Sequence, residues 1–157
     1  MGGDGRVTII EDSRQKPDKN KHIKQQLESL GYKVIRSKLL VGDYAWPTDQ
    51  HICVDTKFGL QEVASNLTQD HERFKRECIL AKDCGIQLVV LVQEPGIKIL
   101  SDVCGWYNWR RKKNPKAVSG KQLYKIMATM TDRYGVAWVF CTRNTVGKRI
   151  VELLGGG

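Results

Sequence analysis

The chain has no apolar run of membrane length, and its first residues lack the apolar core of a secretion signal. No membrane partner is expected. An intracellular setting follows: cytoplasmic if the source is bacterial or phage, nuclear if it is eukaryotic. Cysteine is sparse and odd in number, five residues without a C-x-x-C pair, which excludes a disulfide framework and a cysteine zinc site. The three histidines, His22, His51 and His71, are scattered and show no ligand spacing. They read as solvated or partly buried side chains. Acid is also in short supply. Asp and Glu number 17 against 26 Lys and Arg, for a net charge of +9, and no acid occurs from Val103 through Thr131. So basic a balance favours an anionic partner, of which nucleic acid is the commonest.

The chain does contain enough material for a core: 157 residues, 41% hydrophobic and 27% charged. Val7 to Ile10 reads as a strand running into Glu11-Asp12-Ser13-Arg14. Ile23, Leu27 and Leu30 recur at helical spacing up to Gly31. Tyr32 to Lys38 reads as a second strand, Lys38 to Tyr44 as an extended run, and Tyr44-Ala45 as a short strand. Pro47-Thr48-Asp49 is turn chemistry, so a hairpin to His51–Lys57 is expected. Helices follow Gly59 and Asp70. Leu88 to Val92 is continuously apolar, as in a strand covered on both faces. Beyond an irregular stretch, Leu123, Ile126, Met127 and Met130 mark a helix, Ala137 to Cys141 a strand, and Val146 to Leu154 a last helix. Interleaved strands and helices place the chain in the α/β class, with a mixed central sheet flanked by helices. One domain over residues 1–157 is expected, with flexible glycine-rich ends at about 1–5 and 155–157.

Two segments carry chemistry. The first joins Gly42-Asp43-Tyr44 to Asp55-Thr56-Lys57. Side chains alternate along a strand, so Asp55 and Lys57 share a face. Burying a carboxylate and an ammonium there is costly unless they bind something charged. Asp43, one strand away, would add a second carboxylate, and the set suits a hard divalent cation. The bland alternative is a turn aspartate beside an unrelated strand pair. The second segment, Gly105 to Lys116, interleaves Trp106 and Trp109 with Arg110, Arg111, Lys112, Lys113 and Lys116. Aromatics among cations suit a phosphate backbone and unstacked bases. A mixture is expected, with one tryptophan anchoring the loop and the basic run exposed to DNA.

Several motifs in order resemble the XPF-type nuclease domain of the PD-(D/E)xK superfamily. That family carries D-x-R-E, then G-D-Y, then E-R-K-x-x-x-D, then an R-F helix and an apolar strand ending in Glu. This sequence reads Asp12-Ser13-Arg14-Gln15, Gly42-Asp43-Tyr44, Asp55-Thr56-Lys57, Arg73-Phe74 and Leu91-Val92-Gln93-Glu94. Gln15 stands for a Glu, Asp55 for a Glu and Thr56 for an Arg, while Glu62 sits one position beyond the expected acid. Small stand-alone bacterial and phage members look most similar, since no tandem helix-hairpin-helix region or helicase follows.

The resemblance implies a restriction-endonuclease-like core and a Mg²⁺- or Mn²⁺-dependent DNA endonuclease. Its substrate would be flapped, forked or branched DNA in repair or recombination. Asp43, Asp55 and the backbone carbonyl of Thr56 would bind the metal, and Lys57 would position or help deprotonate water. Glu62 is either a ligand or a solvated helix residue. Asp12 and Arg14 would support the site, hold phosphate or form a structural ion pair. Arg73 would reach phosphate or the carboxylates, with Phe74 packed inward. The resemblance also implies a homodimer or heterodimer, for which Met127, Met130, Trp138 and Leu153 offer an apolar face if they are not core. The alternative is a catalytically inactive DNA-binding or scaffold partner of the same fold.

Overall fold

Alternating apolar residues along β1 (Val7–Asp12) already announce a strand covered on both sides. Ile9 packs into one core and Ile10 into another. The computed structural model describes residues 7–156. It contains α1 (Lys21–Ser29), β2 (Tyr32–Ser37), β3 (Tyr44–Ala45), β4 (Ile52–Lys57), α2 (Leu60–Thr68), α3 (His71–Asp83), β5 (Gln87–Gln93), α4 (Gly120–Tyr134), β6 (Ala137–Cys141) and α5 (Val146–Leu153). Residues 100–112 form two short 3-10 turns, Leu100–Gly105 and Trp109–Lys112.

The strands form one six-stranded sheet in the order β2-β1-β3-β4-β5-β6. The short β3 runs antiparallel to β1 and β4, and the remaining pairs are parallel. This is the mixed α/β sheet that the interleaved pattern predicts. Period-two alternation divides the core. Val90 and Val92 pack with Val63, Phe74, Leu123 and Met127 beneath α2, α3 and α4. Val89 and Leu91 pack with Ile23, Leu27, Ile150 and Val151 beneath α1 and α5. Asp55 lies two residues beyond Cys53, which belongs to the first of these cores. Period two therefore aims Asp55 and Lys57 at the α2–α3 side.

Three sequence expectations are corrected. Lys38 to Asp43 is not extended but a chain of bends. Gly42 has φ 76°, and a Cβ there would sit 3.2 Å from the Val54 carbonyl oxygen. Only glycine fits that turn without strain. Leu30 is 48% exposed because α1 ends at Ser29 and turns it outward. Met127 and Met130 are fully interior and Trp138 donates its indole N–H to the Met127 carbonyl, while Leu153 is half-buried against the other core. These residues are core and offer no open apolar face for a dimer. At the C-terminal end Gly155 and Gly156 hydrogen-bond back to Glu152 and Val151. The expected flexible stretch at about 1–5, and Gly157, lie outside the described residues. No helix among the described residues is long and apolar enough to cross a membrane.

Candidate active site

Asp43 is placed by the sheet rather than by its own element. Its N–H donates to the Val54 carbonyl at 2.8 Å, and its carbonyl accepts from the Asp12 N–H at 2.7 Å. It thus bridges β1 and β4 just ahead of β3. Asp43 Oδ2 accepts from the Thr56 N–H at 2.8 Å and the Thr56 hydroxyl at 2.9 Å, and Oδ1 accepts from Gln15 Nε2 at 2.7 Å. Burial raises its pKa well above the usual carboxylate range, and the negative charge of Asp55 adds to the rise. Thr56 opposes this with its two donors.

Asp55 and Lys57 share the face that strand alternation assigns them. Lys57 Nζ lies 3.2 Å from Asp55 Oδ2 and 4.0 Å from Glu62 Oε1. The Asp55 contact is ionic but misaligned, so Oδ2 has no formed hydrogen bond. Burial works against the Lys57 charge, but Asp55, Asp43 and Glu62 outweigh it and hold its pKa above the ordinary value. The lysine is an ammonium at neutral pH.

These groups line a cavity of about 490 Å³ between the sheet, α2 and α3. Asp12, Arg14 and Arg73 line it too. Asp12 and Arg14 pair with one another at 3.0 Å, and both bind the Leu39 backbone. Of their three expected roles, the structural ion pair is the one the geometry displays. Arg73 is exposed at the mouth, while Phe74 packs inward.

The sequence reading missed Glu77. It stands one helical turn beyond Arg73, lines the same cavity, and accepts the Gly42 N–H at 2.9 Å. Burial raises its pKa, and the Asp55 charge raises it further. The i, i+4 spacing from Arg73 was the available signal. Asn66, one turn beyond Glu62 on α2, was missed as well.

The chemistry of these donors fits a divalent cation. Two carboxylates meet at the strand ends, and the buried oxygens Asp55 Oδ2, Glu62 Oε1 and Asn66 Oδ1 have no hydrogen-bond partner. An orphaned buried carboxylate oxygen is costly unless something cationic satisfies it. Among the described residues, no three His, Cys, Asp or Glu side chains are gathered closely enough to hold an ion by themselves. Backbone carbonyl and water oxygens would complete a Mg²⁺-type shell.

A family model described as the ERCC4 domain matches residues 12–146. The chain belongs to the ERCC4 domain family. The match begins at Asp12 and runs through every residue of the cavity just described. Among solved structures, XPF from Aeropyrum pernix aligns with TM-score 0.66 and 21% identity, covering 94% of this chain and 63% of that one. XPF from Aeropyrum pernix in complex with DNA aligns with TM-score 0.67 and 20% identity, covering 96% of this chain and 64% of that one. This ERCC4 domain therefore shares their fold and spans less than two thirds of their length. No curated protein matches it.

The basic–aromatic segment of the domain lies apart from the acidic cavity. Trp106 is half-buried against the core, whereas Trp109 is 56% exposed with the Arg110 guanidinium 5.7 Å from its ring centre. Arg111 donates to the Ala117 carbonyl at 2.6 Å, so it holds the loop. Lys112, Lys113 and Lys116 are exposed. Asn108 pins the segment: its side-chain oxygen accepts from Arg110 N–H and Gln61, and its amide donates to Val118.

Proposed function

We propose that the chain is a divalent-metal-dependent DNA endonuclease acting on flapped, forked or otherwise branched DNA. One observation carries this reading. Asp43, Asp55 and Lys57 converge in a cavity whose buried acid oxygens lack partners. Asp43 and Asp55, with the Thr56 carbonyl, would hold Mg²⁺ or Mn²⁺, and Glu62 or Glu77 would complete the acidic wall. The cation, when bound, supplies Lewis acidity toward a phosphodiester and a water nucleophile. Lys57, held as an ammonium by three carboxylates, donates to the oxygens on which negative charge grows during displacement. Arg73 at the cavity mouth offers a bidentate donor to a neighbouring phosphate. Junction preference rests on membership of the family and on the DNA complex of the similar archaeal protein. Roles in repair or recombination, and assembly as a homodimer or heterodimer, belong to the same proposal.

A second reading has its own support. Asp43 accepts three hydrogen bonds, one of them from Gln15 at a position where the family carries a glutamate. A carboxylate so fully engaged needs no metal, as expected of a DNA-gripping partner whose site has decayed. Labelled duplex, flap, fork and four-way DNA, incubated with Mg²⁺, Mn²⁺ or EDTA, separates the two. Metal-dependent cuts absent from Asp43→Asn and Asp55→Asn support the nuclease. Tight DNA binding with no cut under any metal supports the gripping partner.

A further inference from the structure

On the far side of α2 lies a second cavity, about 820 Å³, that the catalytic proposal does not use. Its size falls in the roughly 300–1,000 Å³ range of small-molecule sites. No acid lines it. Arg110, Lys113, Lys116 and Lys125 do, and Trp109 stands exposed at its edge. The remaining polar lining consists mainly of amides and hydroxyls, Gln61, Gln69 and Gln122 among them. Gln122 spends its oxygen on the Ser119 N–H and Gln69 its oxygen on the Ser65 hydroxyl. Among the described residues, neither of their amide nitrogens has a partner in the protein. Gln61 likewise donates its nitrogen to Asn108, leaving its oxygen as an acceptor.

Cations, an exposed indole and unengaged amide atoms of both polarities match one ligand chemistry. The phosphate is drawn by charge, the base stacks on the indole, and its edge meets amide donors and acceptors. A base edge is reachable only when the strand is unpaired. We infer that this cavity binds an unpaired stretch of the nucleic acid substrate. It thereby holds a single-stranded arm across α2 from the scissile phosphate. The inference rests on the nucleic-acid reading above and deepens it. α2 is the shared wall: Glu62 and Asn66 face the acidic cavity, and Gln61 and Ser65 the basic one. One rigid helix would thus set the distance between the single-stranded arm and the cut.

The test is fluorescence anisotropy in EDTA with a short oligothymidylate and, separately, a blunt duplex. The proteins are wild type, Trp109→Ala, Trp109→Phe and Gln69→Leu. Trp109→Ala is expected to weaken oligothymidylate binding roughly 5- to 150-fold, corresponding to the usual loss of one base stack. Duplex binding should change little, and Trp109→Phe should recover most of the loss. Gln69→Leu should also weaken the oligonucleotide and spare the duplex. A 5-iododeoxyuridine in the unpaired arm of a fork should photocrosslink within residues 108–126. Equal losses on oligonucleotide and duplex, or none on either, would overturn the inference, as would crosslinks confined to other segments. Wild-type cleavage of the fork with Mg²⁺ is scored in parallel. Cleavage without the oligonucleotide effect sinks this site and leaves the nuclease reading intact. The oligonucleotide effect without cleavage does the reverse.

Discussion

The two cavities on either side of α2 are built on opposite electrostatic plans. The acidic one collects Asp43, Asp55, Glu62 and Glu77 around one buried lysine, and its polar atoms are tied to one another or left orphaned. The basic one holds four cations and no acid, and its side chains reach outward. Like charges packed in a desolvated site repel, which is why burial and Asp55 both raise the Asp43 pKa. Like charges in an open groove are screened by water and salt and cost little. A desolvated cluster can do chemistry, because its charges act at low dielectric. A solvated groove can attract and hold an anion without transforming it.

Substitutions that separate chemistry from grip test this contrast most directly. Lys57→Ala should lower kcat by about 10²–10³-fold, the usual cost of removing one preorganised donor to a developing charge, while metal-free DNA affinity barely moves. Single-turnover rates and anisotropy measure the two effects. Lost affinity with an unchanged rate would make Lys57 a phosphate grip. Asp43→Asn and Asp55→Asn should remove turnover with no loss of folding.

Neutralising Arg110, Lys113 and Lys116 together should act only on the other side. Each lost phosphate contact removes roughly 0.9 from the slope of log K against log salt, so the slope should flatten by up to about 2.7. Arg111 is left out because its guanidinium is committed to the Ala117 carbonyl. Titrations at several salt concentrations measure this, and an unchanged slope would place DNA elsewhere, Arg73 first. Asn108→Ala strips three hydrogen bonds from a side chain only 3% exposed. It should cost about 1–3 kcal/mol of stability and open residues 105–118 to protease, with the acidic cavity unaffected.

The smallest effect concerns pH in EDTA. Asp43 and Glu77 have pKa values raised in the folded protein. Their favourable contribution is complete below the unfolded carboxylate range, about 3.9–4.3, and is lost as pH rises through the raised folded values. The metal-free protein should therefore melt lower at pH 8 than at pH 5, by about 2–4 °C for each kcal/mol of repulsion. Asp43→Asn should shrink that difference, and Mg²⁺ should reverse it. A melting temperature independent of pH across this window would argue that Asp43 and Asp55 are too far apart to repel.

The elements themselves were legible because hydrophobic period is a local property. Leu88 to Val92 declares a doubly covered strand, and Leu123, Met127 and Met130 declare a helix face, whatever they pack against. Asp55 and Lys57 were legible together for the same reason: two residues apart on a strand is one face. Glu77 was not, because it stands in a polar stretch of α3 and reaches the site only through the docking of α3 against the Gly42 turn. The Asp12–Arg14 pair and the burial of Met127 likewise depend on neighbours remote in sequence.

By itself the sequence determined the α/β class, the pairing of Asp55 with Lys57 and the acid-free basic stretch. All three follow from composition and from spacings of two to four residues. Only the tertiary structure decided that Gly42 and Asp43 bend into the sheet between β1 and β4. It also brought Glu77 into the acidic wall and made α2 the partition between two cavities. Strand order and helix docking join residues tens of positions apart, and no local period encodes which faces will meet.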